Sequence, residues 1–461
     1  MRRKDVNMLS GNITKGLLTI SIPIMVMNVL QSLFNIVDMT VLKTYDTASG
    51  GLAVGAVGAC GVLITLITSL VIGLSVGANV LIARNIGRGD KDAVERSVGT
   101  AIATSIVGGL ALLVIGIAFA RVFLKLTNCD SKLMDQAVLY FRMYFAGVPI
   151  LMVYNFCAAA LRASGDSKRP MVYLISGGIL KVCLNIVFVA VLHMGVVGVA
   201  LATIVSWALS MGLALHALFT NEGIVRLKLK NIRFYGYELR SILRIGIPSG
   251  LQQAMYSVAN LVITSTVNSY GAEATTGISI ANQYDGILYQ IAMAPSYAVL
   301  PYVSQNVGSG NVKRARQAIV RGVFITAILG GGFGVLSAVF SRQLASIMSS
   351  DPVVIAYARE KMILISSLYF LQGINATLGE SLKGMGKPMV PTVATLVFMC
   401  LIRFPWVWFI FPLYPNFTFL YLIWPIGWVL SIATILPVLL STAKKLEKKM
   451  AQKAILAEQE Q

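Results

Sequence analysis

The sequence predicts an all-α polytopic membrane protein, with twelve transmembrane helices in two six-helix lobes related by a pseudo-two-fold axis along the membrane normal. Three observations carry that prediction. Of the 461 residues 56% are apolar and only 12% charged, with a mean hydropathy of +0.76, whereas a soluble protein carries about a quarter charged residues. The apolar residues fall in runs of about 20, the length that crosses a bilayer as a helix. The two halves of the chain also repeat the same short words in the same order, the mark of a duplicated unit.

In order along the chain, the runs are 16–41, 51–76, 97–120, 134–158, 170–192 and 196–219, then 243–268, 275–301, 318–340, 358–379, 388–413 and 418–440. The first follows the basic start Met1-Arg-Arg-Lys4; its length and the lack of a cleavage signature make it a spanning helix and not a leader. It carries Asn28, Gln31, Asn35 and Asp38 at spacings of three, four and three, which places them within about 80° on one helix face. The fifth run holds Lys181 near its middle. The polar stretch Asn221 to Arg240 separates six runs from six, giving an N-terminal lobe over 1–221, a cytoplasmic linker over 222–240 and a C-terminal lobe with a short cytoplasmic tail over 241–461. The seventh run has a polar stripe of Gln253, Tyr256, Asn260 and Thr264, and the eighth one of Asn282, Asp285 and Tyr289. The eleventh holds Arg403, which lies 222 residues after Lys181. Pro23 and Pro248 are expected to kink the first and seventh helices and free a carbonyl each. After the twelfth, Lys444 to Gln461 is charged, and reads equally as a surface helix or a frayed tail.

The repeat is concrete. Ala83-Arg-Asn-Ile-Gly-Arg-Gly-Asp90 matches Ser304-Gln-Asn-Val-Gly-Ser-Gly-Asn311 at an offset of 221, and Leu161-Arg-Ala-Ser-Gly165 matches Leu382-Lys-Gly-Met-Gly386 at the same offset. Asn35 follows Pro23 by twelve residues, as Asn260 follows Pro248. An even number of spans per copy gives both copies the same orientation, with a cavity expected between them.

The net charge of +19 does not indicate a nucleic-acid partner. Most of the 38 basic residues fall in alternate loops and at the termini, while only Lys43, Arg121, Lys125, Lys132, Arg342, Arg359 and Lys361 fall on the other side. This is the positive-inside bias, with both termini cytoplasmic. Five scattered cysteines form no metal-binding or redox pair, and His193 and His216 have no ligand set or nucleophile at a useful spacing. The sequence therefore predicts no enzyme, metal or cofactor. Gly87-Arg-Gly89 and Gly308-Ser-Gly310 lack the Lys and Ser/Thr of a phosphate-binding loop and are expected to be tight helix connections. Without a nucleotide-hydrolysing module, uphill movement of a solute draws on an ion gradient.

Charged groups inside spans face a bundle interior or water. Asp38 is thus expected to be a protonation or cation site, or else half of a structural ion pair. Lys181 is assigned Asp38 as its anion, and Arg403 is assigned Asp285 or Glu380. Replacing Lys181 with a neutral residue then changes the titration of Asp38.

The ordered words resemble the multidrug and toxic compound extrusion (MATE) family, prokaryotic type. The resemblance rests on Pro23, Asn35-Ile-Val-Asp38, Gly77-Ala-Asn79, Asn85-Ile-Gly-Arg-Gly-Asp90 and Leu161-Arg-Ala-Ser-Gly-Asp-Ser-Lys-Arg-Pro170. In the second half it rests on Ile247-Pro-Ser-Gly-Leu-Gln-Gln253, Asn282-Gln-Tyr-Asp285, Ser304 to Asn311 and Leu382-Lys-Gly-Met-Gly-Lys-Pro388, and it covers roughly residues 10–440. It implies two lobes around a V-shaped cavity, and a secondary active antiporter that exports organic, mainly cationic compounds in exchange for protons or sodium ions. Asp38 and Asn185 are the implied ion-coupling residues, and Asp285 matches an acidic residue of the eighth helix that is usually Glu. Asn28, Gln31, Asn35, Lys181, Gln253, Tyr256, Asn260, Asn282, Asp285, Tyr289 and Arg403 are expected to line the substrate path. Two departures concern the fifth helix: Val189 stands where a second Asp is usual, and Lys181 lies one turn before Asn185. Losing a carboxylate beside an added ammonium favours proton over sodium coupling. The segment Met39-Thr-Val-Leu-Lys-Thr44 also differs from relatives, and Lys43 with Lys181 keeps an anionic or zwitterionic metabolite open as substrate. A flippase for lipid-linked or polar lipids is the mechanistic rival, and a non-transporting scaffold the third reading. The expected setting is the cell inner or plasma membrane, the expected working form a monomer.

Overall fold

The computed structural model describes residues 6–45, 52–127, 129–268 and 270–459. Among these the first half contains α1 (Ile13–Tyr45), α2 (Leu52–Arg88), α3 (Lys91–Leu126), α4 (Met134–Ala163), α5 (Lys168–Asn185, continued by a π turn Ile186–Val191) and α6 (Gly195–Phe219). The second half contains α7 (Gly236–Asn268), α8 (Ala272–Gly308), α9 (Val312–Val339), the short α10 (Ser341–Met348), α11 (Pro352–Lys361) and α12 (Tyr369–Gly384). It continues with α13 (Met389–Thr395), α14 (Arg403–Pro405), α15 (Phe417–Tyr421) and α16 (Ile423–Gln459).

Nine helical segments among the described residues are long and apolar enough to cross a bilayer. The pair Pro352–Ser366 and Tyr369–Gly384, bent by 44°, makes a tenth if it is one span. With α7 and α8, of 33 and 37 residues, the long segments number twelve, as the apolar runs require. The bend was not legible in the sequence, since no proline marks it. A π turn at Met362–Ser366 precedes it, and the Ser367 hydroxyl donates to the Ile363 carbonyl at 2.6 Å, a back-bond that competes with the helix ladder and bends it.

The chain packs as two units. One comprises residues 26–86 and 90–250, the other 6–25, 87–89 and 251–459 of the described chain. In the first, α4 is the central helix, against α3 and α6. Its side chains Phe141, Phe145 and Phe156 are fully buried, and small residues let helices close on it: a Cβ on Gly116 would overlap the Phe145 ring, and one on Gly109 would meet the Pro149 backbone at 2.6 Å. In the second, α8 packs on α9, α11 and α12.

The linker is strapped onto the start of α3 within the first unit. Lys228 pairs with Glu95 at 2.6 Å, Asn231 donates to Glu95 at 3.1 Å and Arg96 pairs with Glu238 at 3.2 Å. In the second unit, Arg314 donates to the carbonyls of Met8, Ser10 and Gly11 at 3.0, 2.7 and 3.0 Å.

The repeated words turn out to be helix stops. In the second word, Gly165 and Gly386 have φ of +95° and +83°, a conformation that costs a residue with a Cβ. The amide of Asp166 bonds the Leu161 carbonyl at 3.1 Å and that of Gly165 bonds Arg162 at 3.0 Å; Lys387 to Leu382 and Gly386 to Lys383, both 2.9 Å, repeat the pattern. These paired bonds form a Schellman cap. The first word likewise places Gly89 and Gly310 at φ +72° and +82°. Asp90 and Asn311 follow and cap α3 and α9 by accepting from Ala93 and Arg314 amides at 2.9 and 3.0 Å.

Candidate functional site

In the first unit α1 and α5 bring one acid and two partners together. Lys181 and Asn185 are four residues apart and share a face of α5. Lys181 Nζ pairs with Asp38 Oδ2, and Asn185 Nδ2 donates to Asp38 Oδ1 at 2.6 Å. All three residues are buried. The contact is possible because Gly178, three residues before Lys181, receives the ring of Phe34, four residues before Asp38; a Cβ on Gly178 would overlap that ring. Asn185 ends the regular helix and the π turn follows, an irregularity common at functional sites. Asn185 Oδ1 has no hydrogen-bond partner. Val189, within that π turn, is buried.

The remaining polar residues of α1 are less tightly grouped. Gln31 is exposed and Asn28 half-buried, about 10 and 15 Å along the axis from Asp38 at 1.5 Å per residue. The side chain of Asn35 lies outside the described ones, as does that of Lys43. Pro23 is buried within α1 and Pro248 half-buried within α7.

The second unit contains an acid–base pair that the sequence did not reveal. Lys361 Nζ lies 2.8 Å from Asp285 Oδ2 and also donates to Asn282 Oδ1. The Ser366 hydroxyl donates to Asp285 Oδ1 at 3.4 Å, and the Tyr369 hydroxyl to the Asp285 carbonyl at 3.3 Å. Lys361, assigned above to an external loop, is instead buried on α11. The available signal was its place inside the run 358–379.

Arg403 corrects a second expectation. Its partner is neither Asp285 nor Glu380: Nη1 donates to Asn260 Oδ1 at 2.8 Å, and the guanidinium carbon lies 4.6 Å from the centre of the Trp424 ring. Glu380 pairs with Lys383 at 2.8 Å one turn along α12. Tyr256 donates to Gln372 Oε1 at 3.3 Å, while Gln253 and Tyr289 are half-buried. Each unit thus holds a carboxylate bound by a lysine from another helix, and the second holds in addition an arginine bound to an amide.

The profile of a family described as MatE matches residues 23–189 and 248–409, once in each half. The chain is 27% identical over 405 residues to the probable multidrug resistance protein YpnP of Bacillus subtilis, covering 87% of this chain and 89% of that one. It is 22% identical over 404 residues to a FAD transporter of Shewanella oneidensis, covering 86% and 88%. Among solved structures, the outward-facing conformation of a multidrug resistance MATE family transporter of the MOP superfamily superposes with a TM-score of 0.88, at 22% identity, over 97% of this chain and 100% of that one.

Proposed function

Since the chain belongs to the MatE family and is therefore a multi-pass membrane transporter and not an enzyme, we propose that it is a secondary active antiporter that exports organic cations in exchange for protons. The observation that carries the proposal is the buried carboxylate of Asp38, held by Lys181 through one oxygen and by Asn185 through the other. Such a pair persists only while both partners are charged and in register. A proton delivered to Asp38 neutralises it, releases Lys181 and leaves α1 free to repack against α5; loss of the proton restores the pair. Competition between proton and cation for one carboxylate is the coupling.

Sodium is the weaker ion for this site. The ammonium already occupies the position opposite the carboxylate, and Val189 supplies no oxygen. In this reading Pro23 and Pro248 act as hinges, Asn28, Gln31, Asn35, Gln253, Tyr256 and Asn260 line the substrate path, the lobes over 1–221 and 241–461 alternate access as one monomer, and both termini face the cytoplasm of a cell membrane.

The test is transport of tetraphenylphosphonium into proteoliposomes under separately imposed proton and sodium gradients, with wild type and Asp38→Asn. A proton gradient is expected to drive uptake that Asp38→Asn abolishes. Uptake that follows only sodium, or survives Asp38→Asn, overturns the assignment. A second reading, export of an anionic or zwitterionic compound, is favoured by the buried Lys181, Lys361 and Arg403.

A further inference from the structure

We propose that Arg403 is an anion-recognition residue of the second unit, whose free Nη2 donates to a carboxylate or phosphate group of a transported compound. This rests on the transporter reading and names a substrate group for it.

Arg403 is 1% exposed, Nη1 is spent on Asn260, and Nη2 has no hydrogen-bond partner. A guanidinium carries five donors and a permanent charge, and a buried charge without a counter-ion is costly. The repeat shows which counter-ion is missing. The offset of 225 that maps Pro23 onto Pro248 and Asn35 onto Asn260 maps Asp38 onto Ile263, a residue 3% exposed. Arg403 stands in the place of Lys181, but the acid that answers Lys181 has become isoleucine. The second copy keeps the base and lacks the carboxylate.

Among the described residues no other acid replaces it. Asp285 is engaged by Lys361 and Glu380 by Lys383, each at 2.8 Å, and Glu360 accepts from the Thr418 hydroxyl. Access lies through Asn260, which is exposed and shares its face of α7 with Gln253, Tyr256 and Thr264. A polar stripe on a spanning helix turns to water and not to lipid, so the guanidinium sits one side chain behind solvent. Rotation of the Asn260 amide frees Nη1 as well, and two parallel N–H groups match a carboxylate or phosphate. The indole of Trp424 lies against the guanidinium as a cation–π partner, its ring centre 4.6 Å from the guanidinium carbon.

A soluble compound's anion and the headgroup of a translocated lipid share this chemistry, and the experiment separates them. The full chain in detergent is titrated with benzoate and with methyl phosphate by calorimetry and by tryptophan fluorescence. The same fluorescence is compared in nanodiscs of phosphatidylcholine with and without phosphatidylglycerol. Wild type is expected to bind the soluble anions saturably, and Arg403→Gln to weaken them about ten- to a hundredfold, with Arg403→Lys between. A response to phosphatidylglycerol, lost in Arg403→Gln, supports the site with a lipid headgroup as the occupant. Binding to neither source, or equal binding by wild type and Arg403→Gln, overturns the proposal. Should Arg403→Gln fail to fold, Trp424→Phe decides: it keeps an aromatic face against the guanidinium, so it should weaken binding by calorimetry less than Arg403→Lys and lose most of the fluorescence change, and a fluorescence change kept in full places the anion elsewhere. Tetraphenylphosphonium transport in the same preparation separates the two readings. Cation transport without anion binding defeats this inference alone, and anion binding without cation transport defeats the cation antiporter while the Arg403 site stands.

Discussion

Removing Lys181 leaves a carboxylate buried among α1 and α5 with one amide for company. The Lys181 and Asp38 side chains are 11% and 12% exposed, too little for water to replace the lost ammonium. Breaking a buried pair from one side costs about 3–5 kcal/mol; the bond from Asn185, at 2.6 Å, survives and sets the expectation for Lys181→Met at the lower end, about 3 kcal/mol. Asp38→Asn strands the ammonium and has a similar cost. The double variant Lys181→Met with Asp38→Asn buries no charge, and an apolar or neutral replacement of a buried pair is often neutral. It should recover at least half of the loss. Thermal unfolding of detergent-purified protein gives the ranking through apparent midpoints, which suffices because large membrane proteins unfold irreversibly. If the single losses simply add in the double variant, the two residues are not coupled and the pair does not stabilise the first unit.

Two other substitutions probe the scaffold. Gly89→Ala adds a Cβ with no atom within 4 Å at φ +72°, so its cost is backbone strain alone, about 1–2 kcal/mol, and Gly89→Asn should lower the melting midpoint less; equal losses would remove the conformational explanation. Gly178→Ala drives a methyl into the Phe34 ring and should reduce both stability and proton-driven transport, with Phe34→Leu restoring part of each; an unaffected Gly178→Ala would show that α1 does not rest on that glycine.

The helical spans, their number and their duplication were legible because hydropathy and the repeated words are local properties. The words themselves became intelligible only as caps: Gly165 and Gly386 recur because each ends a helix in a left-handed turn. The Asp38–Lys181 pair was also readable, since a buried acid and base in one lobe have few alternatives. Arg403 misled because an acid was sought, whereas the position that faces it carries Asn260. Lys361 misled because a charge near the end of an apolar run reads as a loop, and only the bent segment of α11 and α12 carries it inward to Asp285. Partners 79 and 143 residues apart leave no periodic trace.

The two packing units divide the chain two residues after Pro23, between Met25 and Val26, and two residues after Pro248, between Gly250 and Leu251. Under the offset of 225 these are the same place in both copies. Each copy therefore lends the opening stretch of its first helix to the unit built mainly from the other, a reciprocal exchange of the kind that links swapped dimers. A gene cut in the 222–240 connector would yield two fragments that each hold one piece of the other's packing. Neither fragment is expected to fold fully alone, and co-expression of both should restore the protease resistance that each lacks by itself.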